Sequence, residues 1–334
     1  MKKRIKRAFL LIFSMLLLIV LVVIIYVSTM LPNVGEPEDI IIEVTPERVE
    51  RGSYLANNVT VCMDCHIGRD WSYFSWPIIK GTEGQGGEIF DQSMGFPGKF
   101  VSRNITPVNL GEWTDGELLR AITTGVSRNN KPIFPVMPHA NYGSMDKEDI
   151  KDIIAYIRTL EPIDHQPELS RSEFPMSLIL NTVPKKANFG TRPPKTETLK
   201  YGKHLVNAAA CVECHTQKVN GQVEGELFVY GFEFKFPDGA ILRSANITPH
   251  ETGIGTWTKE LFVARFKAYS DSSYIPNKVK PGEFQTVTPW MFYGEMTEED
   301  LGAIYEYLQN LKPVNQVVSV FEPANKLQKK SKKG

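Results

Sequence analysis

Cysteine and histidine are scarce in this chain, with four Cys and six His among 334 residues. So few thiols cannot staple a disulfide-dense scaffold. No Gly-x-Gly-x-x-Gly fingerprint and no phosphate loop occur, so the chain carries no signature for binding a nicotinamide, flavin or nucleotide by itself. An excess of charge is also missing, because 38 basic residues balance 38 acidic ones. Five positives lie in residues 1–7 and five lysines in the tail (Lys326, Lys329, Lys330, Lys332, Lys333), which leaves about −10 on the body between them. A mildly acidic body argues against a nucleic-acid partner, and Ser, Asp and Glu nowhere suggest a catalytic triad.

One long apolar run exists, from Ala8 to Met30, and its only polar members are Ser14, Tyr26, Ser28 and Thr29. At 1.5 Å per residue it reaches about 34 Å, enough to cross a hydrocarbon core. The positives before it place the N-terminus in the cytoplasm. A cleaved signal is the competing reading, but its apolar region is normally shorter and ends in a small-x-small site, which this run lacks. Either way the rest of the chain is exported, and residues 8–30 are expected to anchor it.

Cys62-Met63-Asp64-Cys65-His66 and Cys211-Val212-Glu213-Cys214-His215 together use every cysteine. Cys-x-x-Cys-His is an attachment site for c-type haem: two thiols add to the porphyrin vinyls, and the adjacent His supplies the proximal ligand to iron. A thioredoxin-like pair needs a βαβ setting, a zinc site needs closer knuckles, and structural disulfides would leave His66 and His215 unexplained. Two covalent haem c groups are expected.

The repeat is wider than the motifs. Arg51-Gly-Ser-Tyr-Leu-Ala-Asn57 matches Tyr201-Gly-Lys-His-Leu-Val-Asn207, and Asn-Ile-Thr-Pro recurs at 104–107 and 246–249. Gly-x-Trp-Thr follows at Gly111–Thr114 and Gly255–Thr258. Each copy closes in a helix, 146–160 and 297–311, with apolar residues at i, i+3, i+4, i+7 (Ile150, Ile153, Ile154, Ile157; Leu301, Ile304, Tyr305, Leu308). Asp146 and Thr297 suit N-caps, Pro162 and Pro313 stop the helices, and Thr114-Asp-Gly-Glu117 reads as a capping box. Domain one spans 46–163 and domain two 197–315. A proline-rich linker, 164–196, carries apolar residues (Phe174, Met176, Leu178, Ile179, Leu180) that should lie against the domains, and 316–334 forms a basic tail. The Gly- and aromatic-rich stretches after each motif read as loops and short strands over the haem.

The second axial position separates an electron carrier from a catalyst. Met137, between Val136 and Pro138, is the candidate for the first iron, with His139 as its rival. Aligning Tyr142-Gly143 with Tyr293-Gly294 puts Thr288 opposite Met137, so the thioether is absent there. Met296 aligns with Met145; both precede an N-cap and read as staples onto Leu301 and Ile150. Met291 is then the expected ligand of the second iron, with an open or water-filled position as runner-up and His204 and His250 as outside candidates.

These motifs together resemble the repeated unit of class I cytochromes c. More narrowly they resemble the membrane-bound cytochrome subunits of bacterial alcohol, gluconate and sorbitol dehydrogenases. Those relatives usually carry three haem domains where this chain has two, and a Met-Pro pair that ligates iron in each unit, which Thr288-Pro289 breaks here. The resemblance implies an all-α fold, two tandem class I cytochrome c domains after an N-terminal transmembrane helix. It also implies a chain held at the bacterial inner membrane with its haems in the periplasm, not itself an enzyme. Electrons would pass from a dehydrogenase or quinol to an oxidase or soluble cytochrome. The alternative is a di-haem peroxidase-like enzyme with an open second haem.

Overall fold

The computed structural model describes residues 2–219 and 221–324. Helix α1 (Lys2–Met30) stands with its apolar side chains exposed, and among the described helices it alone is long and apolar enough to cross a membrane. The first repeat opens with α2 (Pro46–Tyr54), capped by Thr45, and one π turn (Leu55–Val59) carries it into the motif helix α3 (Cys62–His66). A hairpin of β1 (Ile89–Phe90) and β2 (Gly98–Val101) follows, then α4 (Pro107–Leu110) and α5 (Asp115–Thr124). The expected capping box is formed by Thr114 and Glu117. Next come α6 (His139–Tyr142), the closing helix α7 (Lys147–Ile157), and in the linker β3 (Arg171–Ser172) and α8 (Met176–Ile179).

The second repeat runs α9 (Thr198–Ala208), motif helix α10 (Cys211–His215), hairpins β4 (Lys218–Val219)–β5 (Gln222–Val223) and β6 (Glu233–Lys235)–β7 (Ile241–Arg243), and α11 (Lys259–Lys267). Helices α12 (Trp290–Gly294) and α13 (Glu298–Gln309) and strand β8 (Phe321–Glu322) complete it. The all-α expectation therefore needs correction, because each repeat adds a three-stranded antiparallel sheet, β1-β2-β3 and β6-β7-β8. The third strand comes each time from chain beyond the closing helix. In β6 only Phe234 turns inward between exposed Glu233 and Lys235, a period-2 pattern too short to stand out in the sequence. Residues 316–324, expected to open a basic tail, include β8; the five tail lysines lie outside the described residues. In the linker Leu180 is buried and Met176 packs, whereas Phe174 and Ile179 are exposed.

Helix α2 crosses α7, and α9 crosses α13, with glycine at both contacts. A Cβ on Gly52 would collide with the carbonyl of Asp152, and one on Gly202 with that of Ala303. Residues from both repeats form one contiguous buried core, including Met145 and Met296 beneath the closing helices.

The boundary between repeats exchanges matched contacts. Asp149 and Asp300 hold the same position in α7 and α13 and are almost fully buried. Each is held by its own repeat: Arg51 Nη2 lies 3.2 Å from Asp149, and the Tyr201 hydroxyl 3.0 Å from Asp300. Each is also met by the other repeat at matched positions, Asp300 by the Tyr54 hydroxyl at 2.5 Å and Asp149 by His204 Nε2 at 3.2 Å. Burial alone would raise the Asp149 carboxyl, but His204, Arg51 and Arg192 hold it below its usual range. Gly202→Ala should lower stability by about 1–3 kcal/mol, because α9 must back away from α13; denaturant unfolding of the haem-loaded chain measures it.

Candidate haem-attachment sites

Both motifs enter their helices through the same backbone device. Val61 (φ 44°, ψ 41°) and Ala210 (φ 50°, ψ 33°) adopt the left-handed conformation just before Cys62 and Cys211. That conformation is unfavourable for a residue with a Cβ and reverses the chain sharply, so α3 and α10 start against the core. The thiols of each pair stand three residues apart on one helical face. All four cysteines are free, and burial pushes the Cys62 and Cys65 thiols up.

The two motif histidines are oriented identically. His66 Nδ1 donates to the Arg103 carbonyl at 2.7 Å, and His215 Nδ1 to the Ala245 carbonyl at 2.7 Å. A carbonyl can only accept, so each Nδ1 carries the proton and each Nε2 keeps its lone pair for a metal. Burial lowers both imidazole pKa values, which favours the neutral, ligating form.

Asn-Ile-Thr-Pro positions those carbonyls, a role that reading the repeat did not assign. Asn104 follows Arg103 directly; its Nδ2 donates to the carbonyls of Ile163 and His165, each at 2.8 Å, and its Oδ1 accepts from the Thr106 amide and hydroxyl, each at 2.8 Å. Asn246 follows Ala245 and does the same toward Val314 and Thr248 at 2.9, 2.9 and 2.8 Å. The recurrence of a polar tetrapeptide in both copies was the available signal. Its burial, with Asn104 and Asn246 1% and 3% exposed, was not.

Further along each repeat the backbones again match. Pro138 (φ −78°, ψ 58°) and Pro289 (φ −78°, ψ 62°) precede α6 and α12, and the amides of His139 and Trp290 donate back to the carbonyls of Met137 and Thr288 at 2.7 and 2.8 Å. Thr288 therefore stands where Met137 does. The Phe134–Met137 loop lies with the first motif: Met137 and Cys62 pack on the main core, while Phe134, Val136 and Cys65 pack around Phe90, Phe100 and Leu180. Tyr142 and Tyr293 tie the two loops down by donating to the carbonyls of Thr60 and Ala209 at 2.9 and 3.0 Å, two residues before each motif.

Met291 is half-buried on α12, three residues past Thr288 and at the position matching Ala140. His139 is buried against Gly125, with Nε2 unpartnered and its pKa pushed down to about 4 by burial. His204 is engaged by Asp149, and His250 Nδ1 lies 3.0 Å from the Thr252 hydroxyl.

Elements of the two repeats meet near the motifs. The Tyr293 hydroxyl is pushed well above its usual range by burial first, then by Cys211 and Cys214, by Tyr142, and by Asp64 from inside the first motif. Helix α6 packs on α9, and α12 on the π turn before the first motif.

Residues 199–312 match the cytochrome c family model. The cytochrome c subunit of the quinone-dependent alcohol dehydrogenase of Gluconacetobacter polyoxogenes is 25% identical over 283 residues, covering 80% of this chain and 56% of that one. The cytochrome subunit of fructose dehydrogenase from Gluconobacter japonicus is 28% identical over 226 residues (64% and 43%). A dihaem c-type cytochrome of Cereibacter sphaeroides is 27% identical over 169 residues (47% and 53%). The chain spans about half the length of these curated relatives. Its second repeat contains a cytochrome c domain, and Cys211, Cys214 and His215 fit covalent haem c by conformation, free thiols and available Nε2.

Asn246→Ala should cost about 1–3 kcal/mol by leaving Thr248 and the Val314 carbonyl unpaired in the interior, read by chemical denaturation of the haem-loaded chain.

Proposed function

We propose that the chain is a membrane-anchored di-haem cytochrome c that takes electrons from a dehydrogenase or quinol and passes them to an oxidase or soluble cytochrome. The observation that carries this reading is the pair of matched His–carbonyl bonds, Arg103 to His66 and Ala245 to His215, each beside a Cys-x-x-Cys turn. Haem c supplies a reversible one-electron centre when bound. The protein's part is to fix that centre and keep water from it.

Cys62 and Cys65 would hold the first group, with His66 and Met137 offered to its iron. Cys211 and Cys214 would hold the second, with His215 and Met291 offered to its iron. The tandem domains are 46–163 and 197–315, tethered by residues 8–30 with the N-terminus cytoplasmic. Contact between the repeats through α6 and α12 favours transfer within one molecule, because coupling between redox centres falls steeply with separation. No general acid, base or nucleophile is required. The similarity to cytochrome subunits supports a carrier, and none of the relatives named above is described as a peroxidase.

Two haems per chain are expected by pyridine haemochrome assay, falling to one in the Cys211→Ser/Cys214→Ser double variant. A parent that binds one haem or none defeats the reading. Met137→Ala should convert one low-spin ferric haem to high spin in EPR while the other keeps its signal. Met291→Ala should do the same to the other, and an unchanged spectrum removes Met291 as ligand. Purified chain should be reduced rapidly by a quinoprotein dehydrogenase or quinol; failure with both classes removes the proposed donors.

A further inference from the structure

A segment of the first repeat leaves its own domain and closes over the part of the second repeat where Met137's counterpart is missing. After the first motif the chain runs through residues 70–78 and pairs with residues 277–279, the Phe74 amide donating to Asn277 and the Val279 amide to Ser72, each at 2.9 Å. The contact then becomes specific. The Ser75 hydroxyl donates to the Thr288 carbonyl at 2.9 Å, and the Ser75 amide donates to Gln285 Oε1 at 2.9 Å. Gln285 Nε2 donates back to the Tyr73 carbonyl at 2.9 Å. Ser75, Trp76 and Gln285 are 6%, 3% and 7% exposed.

The backbone adopts an unfavourable form to make these bonds. Ser75 and Trp76 are consecutive residues with φ 57° and 49°, a conformation that L residues avoid unless their surroundings impose it. The reverse crossing is built differently and meets α6 past the corner, where Asn207 Nδ2 of the second repeat donates to the Asn141 carbonyl at 3.1 Å. The chain that follows the second motif forms the β4–β5 hairpin, and the Met137 loop is covered by the linker residues Met176 and Leu180 and by a Phe100–Phe134 stack with centroids 3.7 Å apart. Among the described residues, the corner that lacks the thioether at position 288 is the one whose own carbonyl is bonded by the chain that follows the other motif.

We propose that Ser75 and Gln285 form a clamp through which the first repeat sets the sixth coordination position of the second haem. The clamp fixes the Thr288–Trp290 corner, and with a haem bound it would deny that side to small exogenous ligands. Ser75 is a positioning residue; it acts through the Thr288 carbonyl and does not itself reach the metal. Carrying the clamp on the chain that leaves the first motif links the environment of the second iron to the seating of the first repeat. This inference rests on the di-haem reading above.

The test uses the full-length, haem-loaded ferric protein and its Ser75→Ala and Gln285→Leu variants. Ser75→Gly, which suits the positive φ while lacking the hydroxyl, serves where Ser75→Ala does not accumulate. Cyanide binding by stopped flow, EPR and a redox titration are followed for each haem, the two being assigned with Met137→Ala. Loss of one clamp bond should speed cyanide binding at the second haem about tenfold, the factor that corresponds to one net hydrogen bond. It should also shift that haem's potential and leave the first haem unchanged. Equal cyanide rates and potentials in parent and folded variants overturn the clamp, as do changes shared by both haems. Failure of the underlying reading looks different: the unmodified parent then holds fewer than two haems.

Discussion

The buried asparagine at the head of each Asn-Ile-Thr-Pro segment joins three parts of the chain that are far apart in sequence. Asn104 and Asn246 follow the carbonyls that orient His66 and His215, fold their own tetrapeptide back through the Thr hydroxyl, and hold the chain that leaves the closing helix. A polar side chain this deeply buried is tolerated only when fully hydrogen-bonded. Both asparagines use donor and acceptor faces at once. The strand that completes each sheet, β3 or β8, can start where it does because the chain before it is pinned at 163–165 or 314–316.

Duplication then explains how the two units meet. Tyr54 and His204 occupy matching helix positions, and each reaches the buried aspartate of the other unit, Asp300 or Asp149. A buried carboxylate is expensive unless it is paired, so each aspartate needs both its own repeat and its neighbour to be in place. This makes the boundary a specific one, and it sets α6 and α12 beside the opposite unit's N-terminal helix or turn. The copies differ in how they do so: Arg51, Arg192 and His204 satisfy Asp149, while two tyrosines donate to Asp300 with Lys195 Nζ 3.8 Å away.

Much of the site was legible from residue order. Cys-x-x-Cys-His needs only local chain, so both motifs, their histidines and the helices around them followed from spacing, and the capping box at Thr114–Glu117 formed as read. The sheets were less legible, because strands of two to four residues carry too little periodicity to separate from loop. The contacts of His204 and Tyr54 were also hidden, because a residue's partner in another repeat is set by how two surfaces dock. Thr288 was seen to replace Met137; that residues of the first repeat hold its carbonyl was not visible.

The sequence by itself determined the number and spacing of the Cys-x-x-Cys-His motifs, the duplicated unit and the apolar run at 8–30, since each depends on neighbours within a few residues or on exact recurrence. Only the tertiary structure decided which carbonyl orients each histidine, which repeat satisfies each buried aspartate, and which loop covers Thr288. Those depend on burial and on the packing of segments more than a hundred residues apart, where the choice among many possible partners is made by shape and by the cost of leaving a polar group unpaired.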